Sequence, residues 1–245
     1  IIVSGSSGEI GSAIVKAFIQ DNCFVIGLDK DSPKKTFTTD FKHINVDLYN
    51  FSEDSSYSAN IIENIKKSMP SNYSRLIIIN NAALQILKPI NEISISDWNN
   101  SFYINTFSPF FLVQAFLNEL SSSSGQVINI TSIHSRLTKS NFACYSASKA
   151  ALDSLTRSMA IELSQKGISI NSIAPAAILT NMLKAGFDEE SKLNELESFH
   201  PSKSIGNPED LAQLVKSVSL LDDNFLTGSV IEYNGGISNT LHDPN

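Results

Sequence analysis

The run Leu76-Ile77-Ile78-Ile79 places four apolar side chains in a row with no polar alternation. Neighbouring side chains of a strand point to opposite faces, so such a run suits a strand covered on both sides. Short runs bounded by turn residues recur along the chain. The strand candidates are Ile1 to Ser4, Cys23 to Asp29, His43 to Asp47, Arg75 to Asn80, Gln126 to Ser132, Ser169 to Ala174 and Ser229 to Tyr233. Helical patterns lie between them. The first sets Ile10, Ile14, Ala17 and Phe18 on one face, and others run from about Ser52 to Ser68, Ser94 to Glu119, Ala143 to Gln165, Asp188 to Leu196 and Pro208 to Leu221. Pro109 lies inside the Ser94 to Glu119 helix and should bend or break it. This alternation predicts an α/β fold, a doubly wound parallel sheet of about seven strands with helices on both faces and ligands at the carboxyl ends of the strands. No linker divides the chain, so residues 1–245 read as a single domain.

Within that domain, residues 176–207 form the longest segment not committed to the sheet. They read either as a lid over a substrate or as an ordered surface helix with flanking loops. The tail Leu241 to Asn245 either folds over a neighbouring subunit or frays.

A net charge of -7 leaves no basic footprint for nucleic acid. Cys23 and Cys144 have neither metal spacing nor a disulfide framework, which fits a reducing compartment, and no metal site is expected. No apolar run reaches the length of a membrane span and no signal peptide opens the chain, so the expected location is the cytoplasm.

After the first strand comes Ser4-Gly5-Ser6-Ser7-Gly8-Glu9-Ile10-Gly11, which then opens a helix. Glycines let backbone pass close to a pyrophosphate, and a helix start supplies free N–H groups at the positive end of its dipole. Asp29, at the end of the second strand, would accept hydrogen bonds from ribose hydroxyls and repel a ribose phosphate. NAD is therefore expected over NADP. Lys30 points the other way, since a cation there can accommodate the extra phosphate.

Tyr145 and Lys149 stand one helical turn apart and share a face. A phenol ordinarily titrates near 10, too high for proton transfer at neutral pH, and a neighbouring ammonium favours its ionised form. Tyr145 is then a candidate general acid and base.

With these elements in order, the chain resembles the short-chain dehydrogenase/reductase family over essentially its whole length. Asn80-Asn81-Ala82-Ala83 resembles the segment after the fourth strand, Asp47-Leu48 the pair beside adenine, and Pro175 with Thr180 the segment beside nicotinamide. Leu226-Thr227-Gly228 and Gly235-Gly236 resemble the C-terminal signatures. The resemblance implies a Rossmann fold and a catalytic set of Asn105, Ser132, Tyr145 and Lys149. Tyr145 would exchange the proton, Lys149 would lower its pKa and bind the nicotinamide ribose, Ser132 would stabilise the reacting oxygen, and Asn105 would position a water. Gly5, Ser7, Gly8, Glu9 and Ile10 would cradle phosphates, and Asp29, Asp47, Leu48, Asn81, Ala82, Pro175, Ile178 and Thr180 would line the rest of the cofactor site. The spelling departs from the short branch of the family. Glu9 takes the place of a glycine, giving the Gly5, Gly8, Gly11 pattern of the extended branch, and its side chain must point away from the phosphates. Ala83 and Ala176 also replace glycines.

The expected activity is hydride transfer between NAD(H) and a secondary alcohol or ketone, of sugar, polyol or oxoacyl type. Two alternatives stand beside it: an NAD-retaining sugar epimerase or dehydratase, and a nucleotide-binding regulatory protein without turnover. The substrate pocket is expected among Leu84, Gln85, Ser132, Ile133, His134, Asn141, Phe142, Tyr145, Ala177 and Ile178; His134 and Arg136 read either as part of a solvated loop or as groups admitting an acidic or hydroxylated molecule. The resemblance also implies a homotetramer or homodimer built on the long helices that carry Asn105 and Tyr145.

Overall fold

The computed structural model describes residues 1–34, 37, 39–184 and 190–240, the side chains of 190 and 191 excepted. The strands are β1 (Ile2–Ser4), β2 (Val25–Asp29), β3 (Phe41–Asn45), β4 (Ile77–Asn80), β5 (Gln126–Ile130), β6 (Ser169–Pro175) and β7 (Val230–Tyr233). All pair in parallel, in one sheet ordered β3-β2-β1-β4-β5-β6-β7. The order reverses between β1 and β4, which opens a crevice at their carboxyl ends.

The helices are α1 (Glu9–Ile19), α2 (Leu48–Glu53), α3 (Ser55–Ser68), α4 (Ile95–Phe102), α5 (Ser108–Ala115), α6 (Leu117–Ser122), α7 (Ala143–Leu163), α8 (Asn181–Lys184), α9 (Glu190–Phe199) and α10 (Pro208–Ser219). On one side of the sheet, Ile14 and Phe18 of α1 and Leu211 and Val215 of α10 join Val3, Ile77, Ile79 and Ile128 in one core. On the other, Ile65 of α3, Leu112 of α5 and Met159 of α7 join Ile2, Ile26, Ile78 and Val127. Successive isoleucines of β4 thus serve opposite cores, which is why the run has no polar position.

One polar thread crosses this interior. Asn80 Nδ2 donates to Asn129 Oδ1 at 2.8 Å, Asn129 Nδ2 donates to Thr156 Oγ1 at 2.8 Å, and Thr156 Oγ1 lies 2.8 Å from Ser172 Oγ. All four residues are buried, and each bond offsets the desolvation of the groups that make it.

Among the elements whose bounds differ from the sequence reading, three show the physical cause. β3 lies two residues earlier than His43 to Asp47, because Asp47 is taken as the cap of α2 and accepts from Tyr49 N and Asn50 N. The helix expected over Ser52 to Ser68 is two helices, since Asp54 caps a second start by accepting from Ser56 N and Tyr57 N. The rod expected over Ser94 to Glu119 is α4, a π-helical turn at Tyr103–Phe107, α5, and α6 after a break at Phe116. Pro109 falls in the first turn of α5, where a missing N–H is tolerated, so the widened turn precedes it and the break follows it. The start of the helix expected at Asp188 and the tail 241–245 lie outside the described residues.

Candidate active site

β1 ends at Gly5, whose φ of +66° suits glycine and where a Cβ would stand 2.8 Å from Ala82 Cα. A Cβ at Gly11 would collide with Gly5 O, so α1 can sit this close to the turn only with glycine there. Gly8 precedes α1, and no side chain caps that helix. Its first N–H groups therefore remain for a ligand, and the backbone around them leaves room for one, since a Cβ at Gly8 would meet only Gly5 O at 3.5 Å. Asn81 fixes the far wall: its Nδ2 donates to Ser4 O and Gly5 O, each at 3.1 Å.

Asp29 stands at the tip of β2. Its Oδ2 accepts from Ser7 N at 2.9 Å and its Oδ1 from Asp31 N at 3.0 Å, so the carboxylate is fixed beside the glycine turn. The Glu9 side chain turns outward, as its position demands, and its carboxylate accepts from Asn181 N.

These groups open into a cavity of about 1510 Å³ at the carboxyl ends of the strands. Pockets for drug-sized ligands run to about 1,000 Å³, so this one accommodates a dinucleotide together with a substrate. The glycine turn, Asp29, Asp47, Leu48, Asn81 and Ala82 line one half. Ser132, His134, Phe142, Tyr145, Lys149, Pro175, Ile178 and Thr180 line the other.

Among the expected catalytic residues, Ser132, Tyr145 and Lys149 meet in this second half. Ser132 begins the turn after β5, and it lines the cavity together with Tyr145, whose phenol its hydroxyl influences. Burial pushes the Tyr145 pKa up, while the Ser132 hydroxyl draws it back down. Lys149 is 1% exposed, and its Nζ donates to Ile130 O at 2.7 Å. Desolvation lowers its pKa to about 8, with Asp153 one turn further along α7 opposing the fall. The lowering of the Tyr145 pKa expected from Lys149 is outweighed: Lys149 Nζ lies 5.9 Å from the Tyr145 ring centroid, and burial raises the phenol.

Asn105 does not line the cavity. It is fully buried in the π-helical turn, where Oδ1 accepts from Leu84 N at 2.7 Å and Nδ2 donates to Leu84 O and Ser148 Oγ, each at 2.9 Å. Its side-chain amide therefore braces the loop after β4 against α7.

His134 and Arg136 stand in different settings. Burial, followed by the nearby Lys139 charge, lowers the His134 pKa to about 4, and its ring stacks on Phe142 at 4.3 Å. Arg136 Nη1 pairs with Glu232 Oε1 at 2.7 Å. Leu84, Gln85, Ile133 and Ala177 line the cavity as expected, and Asn141 does not. The sequence reading missed Leu196, His200 and Ser238, which also line it. His200 was detectable as a histidine inside the 176–207 segment, whereas Ser238 carried no signal of its own.

A family model described as short chain dehydrogenase matches residues 1–191. The chain is a short chain dehydrogenase. Among relatives of this dehydrogenase is the 3-oxoacyl-(acyl-carrier-protein) reductase of Buchnera aphidicola subsp. Schizaphis graminum, 29% identical over 240 residues and covering 96% of each chain. The 5-keto-D-gluconate 5-reductase of Escherichia coli K12 is 32% identical over 162 residues, 66% of this dehydrogenase and 64% of the relative. Among solved structures, 4-hydroxyisoleucine dehydrogenase complexed with NADH superposes with a TM-score of 0.86 at 25% identity, covering 98% of this dehydrogenase and 99% of that chain. Membership makes this dehydrogenase a nicotinamide-dependent oxidoreductase that transfers hydride on alcohol or ketone substrates.

Proposed function

We propose that the protein interconverts a secondary alcohol and its ketone with NAD(H), using Tyr145 as general acid and base. The observation that carries this reading is that Ser132, Tyr145 and Lys149 line the same cavity that the glycine turn opens into. Bound nicotinamide supplies or takes up the hydride at the carbon bearing the reacting oxygen. In reduction, Tyr145 gives its proton to the ketone oxygen as charge develops there, and Ser132 Oγ donates a hydrogen bond to the same oxygen. In oxidation the proton returns to Tyr145. Lys149 would hold the nicotinamide ribose, and Asn105 is a positioning residue that keeps α7 and the Leu84 loop in place.

The Gly5–Gly11 turn fits a pyrophosphate, through its close-approach glycines and uncapped helix start. The Asp29 carboxylate at the β2 tip favours NAD over NADP by accepting from ribose hydroxyls and repelling a phosphate. Residues 176–207 act as a lid, a role supported by Met182, Leu183 and Leu196 lining the cavity. Ile95, Trp98, Phe107 and Phe111 are exposed along the helices that carry Asn105, which supports assembly into a homotetramer or homodimer. Among the described residues no helix is long and apolar enough to cross a membrane, and the location proposed is the cytoplasm.

A panel of secondary alcohols and ketones followed at the nicotinamide absorbance tests the reading. Net NADH formation or consumption is expected with at least one of them. Substrate isomerisation or water loss without any change in NADH would replace it with the epimerase or dehydratase reading.

A further inference from the structure

His200 follows α9 and lines the cavity. It is 2% exposed and held from both directions along the chain, with His200 N donating to Glu197 O at 3.1 Å and Lys203 N donating to His200 O at 2.8 Å. The turn after β7 packs against its ring, close enough that a Cβ at Gly235 would lie 3.4 Å from Cδ2. His200 Nδ1 lies 2.9 Å from Leu196 O. A carbonyl oxygen can only accept, so the proton of that bond sits on Nδ1. With that proton on Nδ1, the nitrogen that can carry the lone pair of an imidazole is Nε2. That atom is buried and has no hydrogen-bond partner among the described residues. Buried polar atoms are partnered in the great majority of cases, and an orphan in a cavity-lining ring marks a place where a ligand completes the bond.

We propose that His200 is a substrate-binding residue whose Nε2 accepts a hydrogen bond from a hydroxyl group away from the reacting carbon, so that the enzyme selects polyhydroxylated carbon chains. The proposal rests on the alcohol and ketone reading above and narrows its substrate class. A lone pair requires a donor, and a substrate whose only oxygen is the reacting one leaves Nε2 unpaired in a closed site. Ser238 and Thr240 line the same cavity and supply further hydroxyls for a polyol. The stacked pair His134 and Phe142 covers the apolar face of the chain beside Tyr145.

The test compares sorbitol with 2-hexanol in the wild type, His200→Leu and His200→Gln. The leucine removes the acceptor, and the glutamine keeps one in its amide oxygen. Two readouts are taken: kcat/KM with NAD, and the Tm of the NADH complex as each alcohol is added. The wild type is expected to prefer sorbitol, and His200→Leu to lose about tenfold in the sorbitol-to-hexanol ratio. His200→Gln should keep most of that ratio. Sorbitol should raise the Tm of the wild-type complex and leave that of His200→Leu unmoved. Should His200→Leu fail to bind NADH, His200→Phe, closer in shape to imidazole, takes its place. An unchanged ratio in the leucine variant, or no sorbitol effect on the wild-type Tm, overturns the proposal. Stabilisation by sorbitol that depends on His200 without any NADH change upholds His200 and removes the oxidoreductase reading instead.

Discussion

Glu9 Oε2 accepts a hydrogen bond from Asn181 N at 2.6 Å, joining the first residue of α1 to the first residue of α8 across 172 positions of sequence. A side chain that replaces a glycine in the phosphate turn is thereby drawn out of the phosphate site and fastened to the proposed lid. Glu9→Ala should release the segment and speed limited proteolysis within residues 176–207 by about threefold to tenfold, the net value of one solvent-exposed hydrogen bond. Glu9→Gln retains an acceptor and should digest like the wild type. Equal digestion of the alanine variant and the wild type would show that the contact holds nothing.

Tyr145→Phe removes one oxygen from a site that is otherwise packed. Turnover should fall about 10³-fold, within the range for loss of a general acid or base. Cofactor affinity, read by NADH fluorescence, should stay within about twofold, because the ring still fills its place. Substantial residual turnover would take the proton-transfer role away from Tyr145.

Lys149 predicts a pH dependence of definite sign. Its folded pKa of about 8 lies below the ordinary 10.5, so between those values the unfolded chain binds more protons and stability rises with pH. Below that window the buried charge costs on the order of 3 kcal/mol. Lys149→Met should therefore raise the Tm at pH 7 by roughly 5 °C while abolishing turnover, and the gain should shrink toward pH 10. In the wild type, kcat/KM for ketone reduction should decline as pH rises through about 8 and the ammonium is lost. A reduction profile flat to pH 10 would contradict this account.

Asp29 carries two backbone amides as well as the proposed cofactor preference. Asp29→Ala leaves Ser7 N and Asp31 N without their acceptor and removes the charge that would repel a ribose phosphate. The ratio of NADPH to NADH dissociation constants should fall by about tenfold, with a stability loss of about 1–3 kcal/mol. An unaltered ratio in fluorescence titrations would assign the preference to other residues, with Lys30 the first to examine.

The sheet was legible in the sequence because both-face burial leaves an unmistakable trace, as in Leu76 to Ile79. The glycine turn was legible for a different reason: close backbone approach excludes every side chain, as the clash of a Cβ at Gly11 shows. Less was readable where one residue type serves two purposes. Asp47 and Asp54 read as parts of a strand end and a helix, yet each caps a helix start, which depends on local backbone geometry that periodicity does not encode. Asn105 was found by resemblance, but the bonds of its side chain to Leu84 and Ser148 left no trace in the sequence, because they depend on which elements the fold brings together. The Lys149 effect on Tyr145 was misjudged for a related reason, since helical spacing conveys nearness and says nothing about how much water the fold removes from both groups.

The polar thread from Asn80 through Asn129 and Thr156 to Ser172 bears on how the chain finds its register. β4 and β5 are buried along their full length, so sliding one past the other by a residue exchanges one aliphatic side chain for another and carries little hydrophobic penalty. The same slip would part Asn80 from Asn129 and leave a carboxamide facing hydrocarbon without its partner. The asparagine pair, anchored through Thr156 to Ser172, therefore acts as an alignment key, rejecting misregistered sheets that the isoleucines alone would accept.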